Sequence, residues 1–176
     1  MFWTTVSLTA IAALALRASA SVPADAELAQ SIEQLRHAIG LWTAQTDFLG
    51  PDGTVAKSVS GSYEYSWVMP DQVVSGRSDI PELKQSAALL LYLKPATRQI
   101  EMVSVGADGR LWVMNGPFGS ETRVSHPFAT AGGGESQLRF TRSNVQPNSF
   151  ESHMEYTEDG GQSWQPGNHQ RFQRLR

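Results

Sequence analysis

The sequence has 176 residues, a hydrophobic content of 40% and a formal net charge of -3. This length suits one domain with a full core, and the lack of a basic stripe argues against nucleic acid as a partner. The chain contains no cysteine, which excludes disulfides, thiolate nucleophiles, iron-sulfur clusters and cysteine-type zinc sites. Its stability must therefore come from a packed core.

The first twenty residues have the pattern of an export signal. Residues 6–16 are almost all apolar, and residues 18–20 read Ala-Ser-Ala, a small-x-small site of the kind that signal peptidase accepts. Even residues 1–16 fall short of the ~20 apolar residues that a membrane-spanning helix needs. We therefore predict that residues 1–20 are a signal peptide cleaved after Ala20. The mature protein is then expected to be periplasmic or extracellular, without a stable membrane anchor.

One short helix is predicted next, after a linker over residues 21–27. Apolar residues recur at helical spacing and the helix ends at Gly40; these apolar residues are Leu28, Ile32, Leu35 and Ile39.

From residue 41 onward the hydrophobic period changes to two, and Asp-Gly turns separate short runs. We predict that residues 28–176 form one all-β domain, in which the helix precedes eight to ten antiparallel strands. Such a meander should close into a barrel, because closure removes the exposed edges of a large sheet. The predicted strands cover residues 41–48, 54–68, 72–79, 87–94, 98–105, 110–115, 120–126, 136–143, 149–157 and 168–175.

The segment T-E-D-G-G-Q-S-W at residues 157–164 resembles the Asp-box of sialidases. In those propellers the box recurs in blade after blade and lies away from the active site, whereas this chain has one copy. We therefore interpret the segment as a hairpin turn and not as a sign of sugar cleavage. The carboxylate of Asp159 should accept backbone hydrogen bonds, and two glycines should supply the positive φ angles.

The two ends of the domain carry residues that are similar to those of the calycin superfamily, the lipocalin-like barrels. A Gly-Leu-Trp segment occupies residues 40–42, and arginines crowd the last predicted strand. The resemblance implies that Trp42 plugs the floor of the barrel beneath a guanidinium that also satisfies nearby carbonyls. Arg174 is two residues from the apolar Phe172 and therefore lies on the same face of the strand, which should point into the core. We therefore predict that Arg174, and not Arg171, lies within ~6 Å of the indole.

The stretch over residues 35–175 more closely resembles a bacterial family of exported or cytosolic lipocalin-like barrels to which no function has been assigned. The shared features are the early G-x-W, a central strand pair with a D-G turn, and a final D-G-G-x-S/T-W hairpin that leads to a basic strand. This resemblance implies a fold and not an activity.

Parity along the strands assigns an aromatic and methionine-rich set to the barrel interior. Such a lining is typical of a pocket for a small apolar or amphipathic molecule. The alternative is a core that these side chains simply fill. The candidate ligand-binding residues are Tyr63, Tyr65, Trp67, Trp112, Met114, Met154 and Tyr156.

Glu151, His153 and Glu155 share one face of a predicted strand. Two carboxylates that flank an imidazole could bind a metal or perform acid-base chemistry. However, the aromatic and methionine residues of the same strand occupy the opposite face, and these apolar side chains are better suited to the barrel interior. We therefore predict that Glu151, His153 and Glu155 face water. The other histidines are isolated and show no H-x-H or H-E-x-x-H spacing. We therefore expect no metal and no cofactor.

Three classes of function remain. The first, which we expect, is a barrel that binds a small apolar or amphipathic molecule. The second is an enzyme with isomerase- or cyclase-type acid-base chemistry, which would need an inward carboxylate such as Glu64 or Glu101 with a raised pKa. The third is an interaction module that docks another protein through an apolar outer patch.

The signal-peptide interpretation predicts how the chain is processed. Mass spectrometry of the exported protein is expected to find the mature N-terminus at or within a few residues of Ser21. An intact Met1 on a membrane-bound product would reverse the predicted localisation.

Overall fold

The computed structural model describes residues 24–130 and 132–175, so the predicted signal peptide lies outside the described residues. One helix, α1 (Ala24–Ala38), precedes a series of antiparallel strands. Within the described residues, no helix is long and apolar enough to cross a membrane. The strands are β1 (Gly40–Leu49), β2 (Val55–Met69), β3 (Val73–Ile80), β4 (Gln85–Lys94), β5 (Gln99–Gly106), β6 (Leu111–Pro117), β7 (Thr122–Ser125), β8 (Phe128–Ala129), β9 (Glu135–Gln146), β10 (Ser149–Thr157) and β11 (Gln165–Arg174).

Ten of the strands close into an antiparallel barrel, which confirms the predicted fold class. Their order is β10-β11-β1-β2-β3-β4-β5-β6-β7-β9, and β9 pairs again with β10 to complete the ring. The two-residue β8 pairs with β9 beside the ring and was not predicted. Because neighbours in the ring are nearly always consecutive in sequence, short turns suffice to build it. Closure gives each of the ten strands two partners.

The helix begins earlier than predicted, because residues 24–27 belong to α1 and not to a linker. Two acidic residues, Asp25 and Glu27, lie in the first turn, where they interact favourably with the positive end of the helix dipole. Glu27 also forms an ion pair with Arg98 at 2.7 Å. The first turn is therefore fixed to the segment between β4 and β5.

The helix packs across one end of the barrel. Leu35 is fully buried, and polar side chains on either side of it bind turns of the barrel. The amide of Gln34 donates to the carbonyl of Ser120 at 3.1 Å, and Arg36 donates to the carboxylate of Asp71 at 2.7 and 2.8 Å. These contacts reach the β6–β7 and β2–β3 connections, which lie at the same end of the antiparallel ring. The helix thus covers that end.

The predicted stack of arginine on tryptophan is confirmed at this covered end. Trp42 is 1% exposed, and the guanidinium carbon of Arg174 lies 4.1 Å from the centre of the indole ring. The two residues are register partners on β1 and β11. The indole N–H donates to the carbonyl of Ala38 at 2.8 Å. Arg174 also donates hydrogen bonds to three backbone carbonyls, those of His37, Ile39 and Pro147.

The competing arginine of the last strand points to the outside of the barrel. Arg171 donates to the carboxylate of Asp47 on β1 at 2.7 Å. Asp47 also accepts from the hydroxyl of Ser58 at 2.6 Å, and this bond together with the Arg171 guanidinium holds the pKa of Asp47 below its usual range.

The Asp-Gly-Gly segment between β10 and β11 is a turn, as predicted. The carboxylate of Asp159 accepts from the backbone N–H of Ser163 at 3.0 Å and from the hydroxyl of Thr157 at 2.7 Å. The hydroxyl of Ser163 also donates to this carboxylate. This hydrogen bond has the largest effect, and together the hydrogen bonds hold the pKa of Asp159 well below its usual range. Gly160 and Gly161 have φ angles of 72° and 90°, which glycine adopts without strain.

The tryptophan after this turn joins the hairpin to β9. The guanidinium carbon of Arg139 lies 4.2 Å from the centre of the Trp164 ring. A Cβ added to Gly161 would lie 3.7 Å from the same ring. The motif therefore stabilises the β10–β11 hairpin, at the end of the barrel opposite to the helix.

The Trp42–Arg174 stack predicts a measurable coupling energy. Trp42→Ala should lower the free energy of unfolding by about 3–5 kcal/mol, because it removes a fully packed aromatic side chain. Arg174→Ala should cost less, and the two effects should not add, since each change removes the same contact. Denaturant melts of both single variants and the double variant measure the coupling. Arg77→Ala, which removes an exposed arginine from β3, is the matched control for Arg174→Ala. If the effects of Trp42→Ala and Arg174→Ala add in the double variant, the proposed coupling is contradicted.

Candidate functional site

The barrel contains a cavity of about 310 Å³. Side chains from all ten ring strands reach it, and Ala38 at the end of α1 forms part of its covered end together with Trp42. Small-molecule sites usually have volumes of roughly 300–1,000 Å³. The volume of this cavity therefore suits a small organic molecule, and the barrel is not completely filled by its own side chains.

Four of the seven predicted binding residues line the cavity, namely Tyr63, Tyr65, Trp112 and Met114. The rings of Tyr63 and Tyr65 are stacked with their centres 6.5 Å apart. Burial raises the pKa of both phenols, so they are neutral donors at physiological pH. The ring of Tyr65 lies on Gly76, where an added Cβ would come within 2.4 Å of it. The absence of a side chain at Gly76 therefore fixes the position of this wall.

The other three predicted residues do not line the cavity. Trp67 has the same parity on β2 as Tyr63 and Tyr65, but it lies beside the β2–β3 turn, opposite Val74. Met154 fills the space beside Gly167, where an added Cβ would lie 2.7 Å from its sulfur. The hydroxyl of Tyr156 donates to the side chain of Gln165 at 3.0 Å, beside the β10–β11 turn. Alternation along a strand predicts which face a side chain lies on. Whether that side chain reaches the cavity also depends on its depth along the barrel.

Most of the remaining wall is apolar or uncharged and lies outside the predicted set. Leu138 and Phe140 alternate with polar residues and carry a period-two signal that could have identified them, whereas Leu89 and Leu91 lie in a continuous apolar run that shows no alternation. The other apolar lining residues are Met102, Phe150 and Phe172, and the uncharged polar ones are Ser78, Ser104, Ser152, Asn168 and Gln170.

Three charged residues also line the cavity, and sequence reasoning missed all of them: Glu121, Arg123 and Arg142. Arg123 is 7% exposed and donates to the side-chain oxygen of Gln34 at 2.7 Å and to the carbonyl of Ser120 at 3.3 Å. Burial, together with the charge of Arg142, lowers its pKa to about 10. Arg123 is therefore still a cation at neutral pH.

Arg142 is the second cation of the wall; its side chain is 17% exposed, and partial burial lowers its pKa as well. Its guanidinium carbon lies 4.6 Å from the centre of the Phe150 ring. The distance from its Nε to Glu121 Oε2 is 3.6 Å, which is too long for a hydrogen bond. Both of these atoms, and Oδ1 of Asn168, lack a hydrogen-bond partner among the described residues. The cavity therefore presents unused polar groups beside its apolar wall.

His37 links the helix to Arg142. Its Nε2 lies 2.8 Å from the carbonyl of Gln146, and its Nδ1 lies 2.9 Å from Nη2 of Arg142. The carbonyl can only accept and the guanidinium can only donate, so the ring must be the neutral Nε2–H tautomer. Burial lowers the pKa of His37, and the charges of Arg142 and Arg174 add to that effect.

Neither carboxylate considered for acid-base chemistry lies in the cavity. The side chain of Glu64 is 60% exposed and faces Arg77 at 3.5 Å. Glu101 accepts hydrogen bonds from the hydroxyl of Tyr92 and, at 2.9 Å, from Lys94. The Tyr92 hydrogen bond and Lys94 lower the pKa of Glu101, whereas the enzyme hypothesis required a raised one.

The Glu-His-Glu segment of β10 lies on the outer face, as predicted. The carboxylate of Glu155 forms an ion pair with Arg139 at 2.8 Å, and the side chain of His153 is 47% exposed. The structure also brings a residue of another strand to this segment, because His169 on β11 lies directly opposite His153. Its Nε2 is 3.1 Å from the carboxylate of Glu151.

Some apolar side chains are exposed on the outside of β4, β5 and β6. Leu90, Val105 and Leu111 have exposed fractions of 37%, 41% and 58%. A few exposed apolar side chains are usual on folded proteins. They do not favour the interaction module over a barrel with an internal ligand.

The fold is similar to that of solved proteins of low sequence identity. An S-type phycobiliprotein lyase from Guillardia theta has a TM-score of 0.50 and 14% identity, over 86% of this chain and 97% of the lyase chain. EF1p2_mFAP2b, solved with DFHBI bound, has a TM-score of 0.36 and 13% identity, over 82% of this chain and 98% of the other. No family model matches the chain, and no curated protein matches it significantly. The TM-score of the first structure shows a shared β-barrel fold and nothing beyond it, and the lower score of the second carries no argument.

The environment of His37 predicts a pH-dependent stability. The folded-state pKa of His37 lies below the usual unfolded value of ~6.5. The contribution of His37 to the free energy of unfolding is therefore fully present above pH ~6.5 and is lost as the pH falls below it. Thermal melts between pH 7.5 and 5 should show a larger decrease in Tm for the unmodified protein than for His37→Gln. His126→Gln, which removes an exposed histidine, should behave like the unmodified protein. Equal pH dependence in the unmodified protein and His37→Gln would contradict this account.

Proposed function

We propose that the barrel binds a small amphipathic molecule with an anionic group at one end. The observation that carries the proposal is the pair of arginines, Arg123 and Arg142, at one side of a mostly apolar cavity. Glu121 is the anionic residue of the described lining, so the wall has one excess positive charge. A neutral, wholly apolar ligand would leave that charge without a partner.

Burial of unpaired charge is costly, which gives the anion a physical reason to bind. Arg142 has an Nε donor without a hydrogen-bond partner among the described residues, and its charge destabilises the cationic form of Arg123. A carboxylate or sulfonate between them would relieve this repulsion and accept from the free donor. Charge-assisted hydrogen bonds to a guanidinium contribute about 1.5–3 kcal/mol.

The rest of the ligand would lie against the aromatic and aliphatic wall. Trp112, Met114 and Leu89 provide apolar surface, and each buried methylene of a ligand contributes about 0.8 kcal/mol. The phenols of Tyr63 and Tyr65 and the side-chain oxygen of Asn168 provide places for polar atoms along its length. This combination of a mostly apolar wall and a few polar groups is typical of ligand pockets.

We also propose that the protein acts outside the cytoplasm and belongs with the bacterial lipocalin-like barrels that it resembles. The apolar run at residues 6–16 with its Ala-Ser-Ala site supports export. The G-x-W at residues 40–42 and the D-G-G hairpin support the family.

Two probes that differ by one anionic group test the proposal. N-phenyl-1-naphthylamine is neutral, and 8-anilinonaphthalene-1-sulfonate is the same scaffold with a sulfonate. The protein should bind both, and the sulfonate more tightly. Arg142→Met should weaken binding of the sulfonate about 10- to 100-fold, as expected for a lost charge-assisted hydrogen bond, while the neutral probe changes little. Fluorescence titration measures both affinities.

Matched variants on β4 show whether the probes occupy the cavity. Leu89 lines the cavity, whereas Leu90 points outward. Leu89→Trp should block both probes, and Leu90→Trp should leave both affinities unchanged, with circular dichroism confirming that each variant is folded. Binding of the sulfonate to Leu89→Trp at the original affinity would refute the cavity as the site, and equal loss of both probes in a folded Arg142→Met would refute the anionic specificity.

A further inference from the structure

We infer that the outer surface of β10 and β11 holds a site for a divalent transition-metal ion, formed by Glu151, His153 and His169. This site lies outside the barrel and does not depend on the ligand proposed for the cavity. The two histidines come from different strands, and the pairing of β10 with β11 brings them together.

The geometry of the three side chains supports the site. His153 and His169 are register partners, and their rings are parallel within 6° with centres 4.3 Å apart. The Nε2 atoms of His169 and His153 lie 3.1 and 3.8 Å from Oε2 of Glu151. One ligand atom from each residue lies within 4.8 Å of the others. Tetrahedral zinc with bonds of about 2.0–2.1 Å separates its ligand atoms by roughly 3.3 Å, so the three donors are close enough to chelate an ion once the two rings rotate to direct their lone pairs at it.

The donor set selects the class of ion. Two neutral imidazoles and one carboxylate suit Zn²⁺, Ni²⁺, Cu²⁺ or Fe²⁺, whereas Ca²⁺ and Mg²⁺ prefer oxygen ligands. Glu151 supplies the carboxylate oxygen of this set from the same strand as His153. Three protein ligands leave at least one coordination position for water or an external ligand.

The surroundings of the site balance its charge and keep it accessible. The side chains of Glu151, His153 and His169 are 30%, 47% and 22% exposed, so an ion can reach them from solvent. Arg171 lies 3.5 Å from Nδ1 of His169, and its positive charge is offset by the carboxylate of Asp47 at 2.7 Å. The arginine is therefore held by a partner of its own and leaves Nε2 of His169 directed at Glu151.

Titration calorimetry with Zn²⁺, on protein whose purification tag has been removed, tests the site. One ion should bind per chain, and Ca²⁺ should not compete. His153→Ala and His169→Ala should each weaken Zn²⁺ binding by at least about tenfold, since each removes one of three ligands. His126→Ala, which removes an exposed histidine elsewhere, should bind Zn²⁺ as the unmodified protein does. Glu151→Gln should also weaken binding, and Zn²⁺ should raise its Tm less than that of the unmodified protein.

Several results would overturn the inference. These are an absence of Zn²⁺ binding at 100 µM ion, unchanged affinity in a folded His153→Ala/His169→Ala double variant, and equal binding of Ca²⁺. One ion per two chains, together with a doubled mass in light scattering, would place the ion between two copies and would also refute the site as described.

Discussion

Arg174 joins four parts of the chain through one side chain. Its guanidinium stacks on Trp42 of the first strand while its N–H groups bind carbonyls at the end of α1 and in the β9–β10 turn. The last carbonyls of a helix have no partner within the helix and carry partial negative charge. A planar cation with five donors can satisfy them and cover the indole at once, which a lysine ammonium cannot. The position of the helix, the closure of the ring and the floor of the cavity all depend on this contact.

The same end of the barrel also determines the electrostatics of the interior. The helix brings Gln34 to Arg123 and His37 to Arg142, so that each buried cation has a neutral partner from α1. These neutral partners orient the two guanidinium groups without cancelling their charge. The cavity thereby keeps a positive region next to its apolar wall, which Glu121 offsets in part.

Patterns within single strands or turns were readable from the sequence. The alternation of residues along β2 identified Tyr63 and Tyr65 as inward, and turn chemistry identified the role of Asp159. Because Phe172 and Arg174 share one face of β11, the sequence also identified the arginine that covers Trp42. Arg142 has the same parity as Phe140 and could have been found, but charged residues are so rarely buried that the alternation was not followed there.

Features that depend on two strands at once were not readable. The contact between His153 and His169 requires the register of β10 against β11, which also contains a bulge beside Met154. The absence of H-x-H spacing therefore said nothing about this histidine pair. Depth in the barrel depends on strand tilt and stagger, which explains why Trp67 and Tyr156 have the expected parity but do not line the cavity.

The pairing of β1 with β11 also has a consequence for the order of folding. The hydrogen bond between Arg174 and Ile39 joins residues that are 135 positions apart, and such distant contacts form slowly because a long loop must close first. During synthesis β1 emerges early, and its partner is the last strand to appear. Until then the edges of β1 and β10 carry unpaired backbone groups that can recruit other chains. Closure is therefore a late step, and a chain truncated before residue 165 would be prone to aggregate.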